Sequence, residues 1–196
     1  MGVSPDGRHV ATGGSSDGWL RIFEVASGRE VRAIDTGTGA TFTLGYTGDG
    51  RFLLGSHGDG SLRAWRAADG SEVRLVSSSA GYVPAFSFSR DGKAVAYPLE
   101  DGSVAVLETA TWSVLRRIEG HEGGVAAAAF HPRGRHLATM GQDGGIRFWD
   151  VATGRVVHAL EARATGPGSR MAFSADGRSL VVAGGDGVVR VFGRKR

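Results

Sequence analysis

Residues 120–150 read GHEGGVAAAAFHPRGRHLATMGQDGGIRFWD. Two turn signals, Arg133-Gly134 and Asp143-Gly144, separate three short apolar runs, and both return along the chain at a fixed spacing. The first turn's glycines fall at Gly7, Gly50, Gly92, Gly134 and Gly177, at steps of 43, 42, 42 and 43. The second turn's fall at Gly18, Gly60, Gly102, Gly144 and Gly187, at steps of 42, 42, 42 and 43. A third series, Gly28, Gly70, Trp112 and Gly154, steps by 42 throughout, with tryptophan standing once where glycine is the rule. Three series sharing one period describe one supersecondary unit used five times.

The runs between turns have the period of strands. Ile146 and Phe148 alternate with Arg147, and Val189 and Val191 with Arg190, as residues on opposite faces of a sheet do. Further along each unit Val31, Val73, Leu115 and Val157 correspond, as do Ile34, Val76, Ile118 and Leu160. No stretch of ten or more residues carries a helical apolar period, so the fold class is all-β. The 33 glycines sit at fixed places in the unit, which marks tight turns and not a flexible linker. Calling the four strands of a unit a to d, the first unit keeps only the end of strand a, at Val3, and the fifth has no strand d. An extra residue near 13–16 predicts a bulge or a longer b–c turn in the first unit. Tyr97-Pro98 in the third predicts local irregularity, because proline cannot donate to a ladder.

With Gly120-His121 opening the unit and Trp149-Asp150 closing it, the chain resembles the WD-repeat family over all 196 residues. The resemblance implies a β-propeller of four-stranded antiparallel blades, built as a single domain over 1–196. Its repeats run approximately 1–39, 40–79, 80–120, 121–163 and 164–196. Five repeats with incomplete first and last members imply an open or partial ring, a portion of a larger one, or self-association through the end blades. The resemblance also implies a structural clamp in the fourth blade made of His121, Thr139, Asp143 and Trp149. Asp17, Asp59, Asp101 and Asp186 keep the clamp's carboxylate position in the other repeats, where no matching histidine stands, so they are expected to cap their own turn amides.

Composition excludes several classes. Zero cysteines rule out a disulfide framework and thiolate metal sites, and fit a reducing, cytoplasmic setting. No apolar run approaches the roughly 18 residues of a membrane span, and MGVSPDGRHV holds no apolar signal core. The formal charge is +3. The basic residues after the first turns, Arg8, Arg51, Lys93, Arg135 and Arg178, share those turns with Asp6, Asp49, Asp91 and Asp176, which gives weak steering and no phosphate track. The terminal Arg194-Lys195-Arg196 reads as a basic end.

Motifs with catalytic overtones find no matching context. Gly14-Ser15-Ser16-Asp17-Gly18 fits G-x-S-x-G, but that motif needs a strand-to-helix turn and here joins two strands. His121, Thr139 and Asp143 are the residue types of a hydroxyl–histidine–carboxylate group, yet a buried Trp149 indole needs that hydroxyl as its acceptor. His131 and His136 flank a turn and are expected to be exposed. No metal, cofactor or catalytic residue is expected.

The function implied by the resemblance is a non-catalytic scaffold for protein–protein or protein–peptide interaction. Two alternatives stay open: a small-ligand-binding or enzymatic propeller, and nucleic-acid binding through the basic face. Candidate partner-binding residues are those placed on the loops before strand a and on the b–c turns: Ser16, His57, Tyr82, Glu100, Glu122 and Gln142. Tyr82 is the one aromatic among them and the expected anchor.

Overall fold

The computed structural model describes residues 1–14, 16–77, 85–99, 101–162 and 169–193. Its contacts group into two compact units, Met1–Val83 and Pro84–Arg196. The described residues form strands and turns with no helix.

The first unit holds two four-stranded antiparallel blades. Blade 1 is β1 (Gly2–Val3), β2 (His9–Gly13), β3 (Trp19–Glu24) and β4 (Glu30–Asp35); blade 2 is β5 (Thr41–Tyr46), β6 (Phe52–His57), β7 (Ser61–Arg66) and β8 (Glu72–Ser77). The second unit holds blade 3, with β9 (Ser87–Phe88), β10 (Ala94–Pro98), β11 (Val104–Glu108) and β12 (Val114–Ile118), and blade 4, with β13 (Val125–Phe130), β14 (His136–Gly141), β15 (Gly145–Asp150) and β16 (Arg155–Glu161). Three strands make blade 5: β17 (Arg170–Phe173), β18 (Ser179–Ala183) and β19 (Val189–Gly193). Each blade is a meander in sequence order, the arrangement that short hairpin connections allow.

The turns explain the period. In the a–b turn of blade 1, Ser4 Oγ donates to Asp6 Oδ1 at 2.6 Å and accepts the His9 amide at 2.9 Å, while Asp6 takes the Arg8 amide at 3.0 Å. The same three bonds recur around Thr47–Asp49, Ser89–Asp91 and Ser174–Asp176. A small hydroxyl residue, an aspartate two residues on and a left-handed glycine next to it close the loop with its polar groups paired.

Blade 4 has His131 in place of the hydroxyl. Its Nδ1 accepts the Arg133 amide at 3.2 Å, and its Nε2–H donates to the Gly177 carbonyl of blade 5 at 3.1 Å. His131 also stacks edge-on against Phe173, 4.9 Å between ring centres. It and His136 are therefore half-buried, not the exposed pair expected, because the ring that replaces a serine reaches the next blade's turn.

The c–d ladders carry the period as register. Each shifts by one residue at the same place, between Ile22/Phe23, Ala64/Trp65, Val106/Leu107 and Phe148/Trp149. Trp112 adopts φ 59°, the one left-handed non-glycine residue among those described, and its amide bonds Glu108 O at 2.8 Å just as Gly28, Gly70 and Gly154 bond their fourth preceding carbonyls.

The irregularity expected at Pro98 falls on one side of its strand: β9 pairs β10 only at Phe88↔Val95 and Ser87↔Ala96 and stops short of the proline. β10 pairs β11 without a shift from Ala94↔Glu108 to Pro98↔Val104. The Leu99 amide bonds Ser103 O, so Pro98↔Val104 is the non-hydrogen-bonded pair, and strand c asks no donor of the proline.

Blades bury their faces against neighbours within each unit. Leu20, Ile22, Ile34, Leu44, Tyr46, Leu53 and Trp65 form one core in the first unit. In the second, Val104, Val106, Ile118, Phe130, Leu137 and Trp149 join blades 3 and 4, while Met140, Ile146, Leu180 and Val182 join blades 4 and 5. Each such side chain contributes about 1.5–3 kcal/mol on burial. An edge latch repeats as well: Arg32 donates to Ala68 O, and Arg116 to Ala152 O, each from strand d to the next blade's c–d turn at 2.5 Å.

Gly7 and Gly134 have φ of 71° and 75°, and a Cβ on either meets nothing within 4 Å. Substitution there tests backbone conformation alone. Gly7→Ala and Gly134→Ala are each expected to cost about 1–2 kcal/mol in urea unfolding. Gly177→Ala should cost more, because its Cβ falls 2.4 Å from His131 Nε2. An unchanged midpoint for Gly134→Ala would count against the turn as the element that sets the period.

Candidate functional site

Among the described residues, a chain of side-chain hydrogen bonds runs through the end of blade 4 where the lead-in to β13 meets the β14–β15 turn. Trp149 Nε1–H, on β15, donates to Thr139 Oγ1, on β14, at 2.7 Å. Thr139 Oγ1 lies 2.7 Å from His121 Nε2, and His121 Nδ1 lies 3.1 and 3.2 Å from the two oxygens of Asp143. One proton order satisfies every member: indole to hydroxyl, hydroxyl to Nε2, and Nδ1–H to carboxylate.

The chain of bonds is sealed: Thr139 is fully buried, Trp149 and His121 nearly so. Asp143 also accepts the Gly145 amide at 3.0 Å and the Glu122 amide at 3.3 Å, so one carboxylate ties two loops together. Gly141 admits the imidazole; a Cβ there would stand 2.1 Å from His121 Nδ1.

Arg147 completes the corner. Its Nη1 pairs with Asp143 Oδ2 at 2.6 Å and also abuts His121 Nδ1. Aspartate in the b–c turn and arginine four residues on recur as Asp17–Arg21 at 2.8 Å, Asp59–Arg63 at 3.3 Å and Asp186–Arg190 at 2.7 Å. The sequence carries this as D-G-x-x-R at the repeat period, with residues i and i+4 of the strand on one face. In blade 3 Ala105 breaks the pattern, and Asp101 pairs with Arg117 of strand d instead. All five aspartates accept the amide two residues on, whether or not a histidine is present.

Electrostatics follow from burial. It lowers the His121 pKa, against the opposing pull of Asp143. Burial would raise the Asp143 carboxyl, but the Gly145 amide, Arg147 and His121 overcome it and hold the group at about 2.

Blade 2 builds its corner from other strands. Gly55 stands where blade 4 has Thr139, and His57 where it has Gly141. The His57 ring fills the space so vacated: a Cβ on Gly55 would lie 2.9 Å from His57 Nε2. His57 Nδ1 is 2.9 Å from Thr38 Oγ1 and 3.2 Å from Thr41 Oγ1, and the ring meets Trp65 edge-on at 5.3 Å. His57 is therefore 0% exposed, which corrects its placement among the surface residues. Burial pulls its pKa down to about 4. Blade 3 fills the corner with buried Tyr97 and Leu107.

Of the other candidate binding residues, Glu122 and Gln142 are exposed and lie close together above the clamp, where the Gln142 amide bonds Gly124 O at 2.8 Å. Ser16 is exposed on the b–c turn of blade 1, in the first unit. Tyr82 and Glu100 lie outside the described residues.

Two expectations follow. Asp143→Ala or His121→Ala should destabilise by about 1–3 kcal/mol, since each leaves a buried group unpaired. Asp101→Ala, whose partner is an exposed arginine, should cost under about 1 kcal/mol; equal urea midpoints for the two aspartate variants would contradict the clamp's role.

The second concerns pH. His57 and His121 stay neutral in the fold while the unfolded chain takes up protons below about 6.5, so stability falls as pH drops through that value toward 4. The depressed Asp143 pKa extends the loss to still lower pH. The urea midpoint should decline from pH 7 to 4.5, and His57→Gln should flatten part of the decline. A midpoint independent of pH over that range would contradict the burial of both rings.

Comparison with known proteins places these features. The profile of the family described as WD domain, G-beta repeat, matches residues 1–24, 112–150 and 166–193. No curated protein matches the chain. Among solved structures, one titled Kuenenia stuttgartiensis hydrazine synthase superimposes with a TM-score of 0.78 at 19% identity, over 92% of this chain and 53% of that one. This chain thus spans about half the length of that neighbour, and likeness at such identity concerns the fold alone. The profile matches cover the clamp of blade 4 and most of blades 1 and 5, and the same turns and register recur in the blades between. The chain thus carries matches to the WD-repeat profile in three regions, within an all-β architecture of antiparallel propeller blades.

Proposed function

We propose that the chain is a non-catalytic scaffold that binds a protein or peptide partner through the loop end of blade 4, around Glu122 and Gln142. The observation that supports this is the sealing of the clamp. Its hydroxyl, imidazole and carboxylate are the groups a nucleophilic enzyme needs, yet Thr139 Oγ1 is held between an indole N–H and His121 at zero exposure. A substrate has no path to it.

What the clamp provides instead is a rigid base beneath two exposed loops, the setting in which recognition residues act. Beside it lies a recess of about 490 Å³ lined by Glu122, Arg147, Leu160 and Glu161, in which charged rim groups surround apolar surface. That composition suits a partner's side chains. Ser16, Tyr82 and Glu100 belong to the same reading as further contact candidates.

The test is site-directed photo-crosslinking in cells from position 122 or 142, with position 178 as control. Crosslinks to one partner from 122 and 142, and a roughly tenfold loss of its affinity in Glu122→Ala/Gln142→Ala at unchanged stability, are the expected results. Crosslinking from 178 alone would remove the site from this end of the blade.

A further inference from the structure

A second feature lies at the other end of the blades, in the first unit, and the clamp plays no part in it. Between blades 1 and 2, where their a–b and c–d turns meet, is a cleft of about 680 Å³. Pro5, Ile22 and Val31 give it an apolar wall, and Tyr46 lines it from β5. Tyr46 is 9% exposed, and its hydroxyl is buried with no hydrogen-bond partner. Burial, and after it the charge of Asp6, push the phenol up to about 12, so it remains an O–H donor with nothing to receive its proton. A buried hydroxyl left unsatisfied destabilises the fold.

Three arginines line the same cleft: Arg32, Arg51 and Arg66. None has an ion-pair partner among the described residues, although most other b–c and strand c arginines do. Arg32 directs one N–H to Ala68 O, and the guanidiniums of Arg51 and Arg66 both lie over the Phe52 ring, at 5.4 and 5.9 Å. Two like charges are thus gathered at one ring, with Asp49 acting on Arg51, and Asp69 on Arg66 and Arg32, only beyond ion-pair distance. The carboxylates within the cleft stop short of ion-pair distance from these arginines and are held by their own turns. Asp6 is taken by Ser4 and the Arg8 amide, and Asp49 by Thr47 and the Arg51 amide.

We propose that this cleft binds an acidic peptide segment of a protein partner, an aspartate or glutamate carboxylate meeting Arg51, Arg66 and Arg32 while its apolar neighbour lies on Pro5, Ile22 and Val31 and an acceptor of the segment takes the Tyr46 hydroxyl. Guanidinium forks match carboxylates in geometry as well as charge. The apolar wall is what favours a peptide over a phosphate backbone, which would leave that wall uncovered. This inference rests on the reading of the chain as a scaffold and adds a contact that involves neither Glu122 nor Gln142.

The experiment uses the full chain and fluorescence anisotropy. Its probe is a capped eight-residue peptide alternating glutamate with leucine, alongside its glutamine counterpart and a twenty-nucleotide oligothymidylate. The glutamate peptide should bind at least tenfold more tightly than the glutamine peptide. Arg51→Gln/Arg66→Gln should weaken it at least tenfold. Tyr46→Phe should weaken it about fivefold while leaving the urea midpoint unchanged or higher, a combination that a merely structural tyrosine does not give. Glu122→Ala/Gln142→Ala should leave the peptide's affinity intact.

Equal binding of the two peptides, absence of binding by folded protein, or tighter binding of the oligothymidylate would overturn the proposal. Loss of the peptide in the Glu122→Ala/Gln142→Ala variant alone would overturn it too, while leaving the scaffold reading standing at the clamp end.

Discussion

The indole N–H of Trp149 and the hydroxyl of Thr139 form the bond on which the corner of blade 4 depends. Trp149 sits in the core shared by blades 3 and 4, so its ring is fixed by packing, and its one donor must find an acceptor there. Thr139 supplies it and passes the requirement to His121 and then to Asp143, at the surface, where amides and Arg147 complete the chain. A core position thereby dictates the conformation of two loops. Polar groups from β14, β15 and the segment before β13 are paired in one stroke, leaving the hydroxyl and the imidazole closed to solvent.

The other blades show that this corner is a volume to be filled and not a fixed motif. Blade 2 removes the hydroxyl at Gly55 and brings a histidine in from the end of strand b; blade 3 abandons polarity for Tyr97 and Leu107. What stays constant is the turn chemistry: a left-handed glycine, an aspartate accepting the amide two residues on, and the register shift in each c–d ladder. Blades can therefore differ at the corner while keeping their period of 42.

The fold was legible because glycine and aspartate at turns have few substitutes, so their spacing survives in the sequence as a direct record of geometry. The site was legible only in part. The strand position of His57 alone points to the surface, whereas its burial depends on the space opened by Gly55, a relation between two residues on one strand. Pro98 was judged by residue type, whereas its effect depends on which side of the ladder its missing N–H faces. Arg147 taken singly reads as solvent-facing alternation, and its pairing emerges only from D-G-x-x-R standing at four places in the sequence. The Arg32–Ala68 and Arg116–Ala152 latches join residues 36 apart on neighbouring blades, and no local pattern encodes such a contact.

A double-mutant cycle at the central bond is the most direct measurement. Thr139→Val leaves the indole N–H and His121 Nε2 buried and unpaired, Trp149→Phe leaves the hydroxyl without its donor, and each should cost about 1–3 kcal/mol in urea unfolding. The double variant removes both polar groups together, so it should cost clearly less than the two losses added, with a coupling of about 1 kcal/mol or more. Losses that add within about 0.3 kcal/mol would show that hydroxyl and indole act independently, and that the corner of blade 4 is held by packing alone.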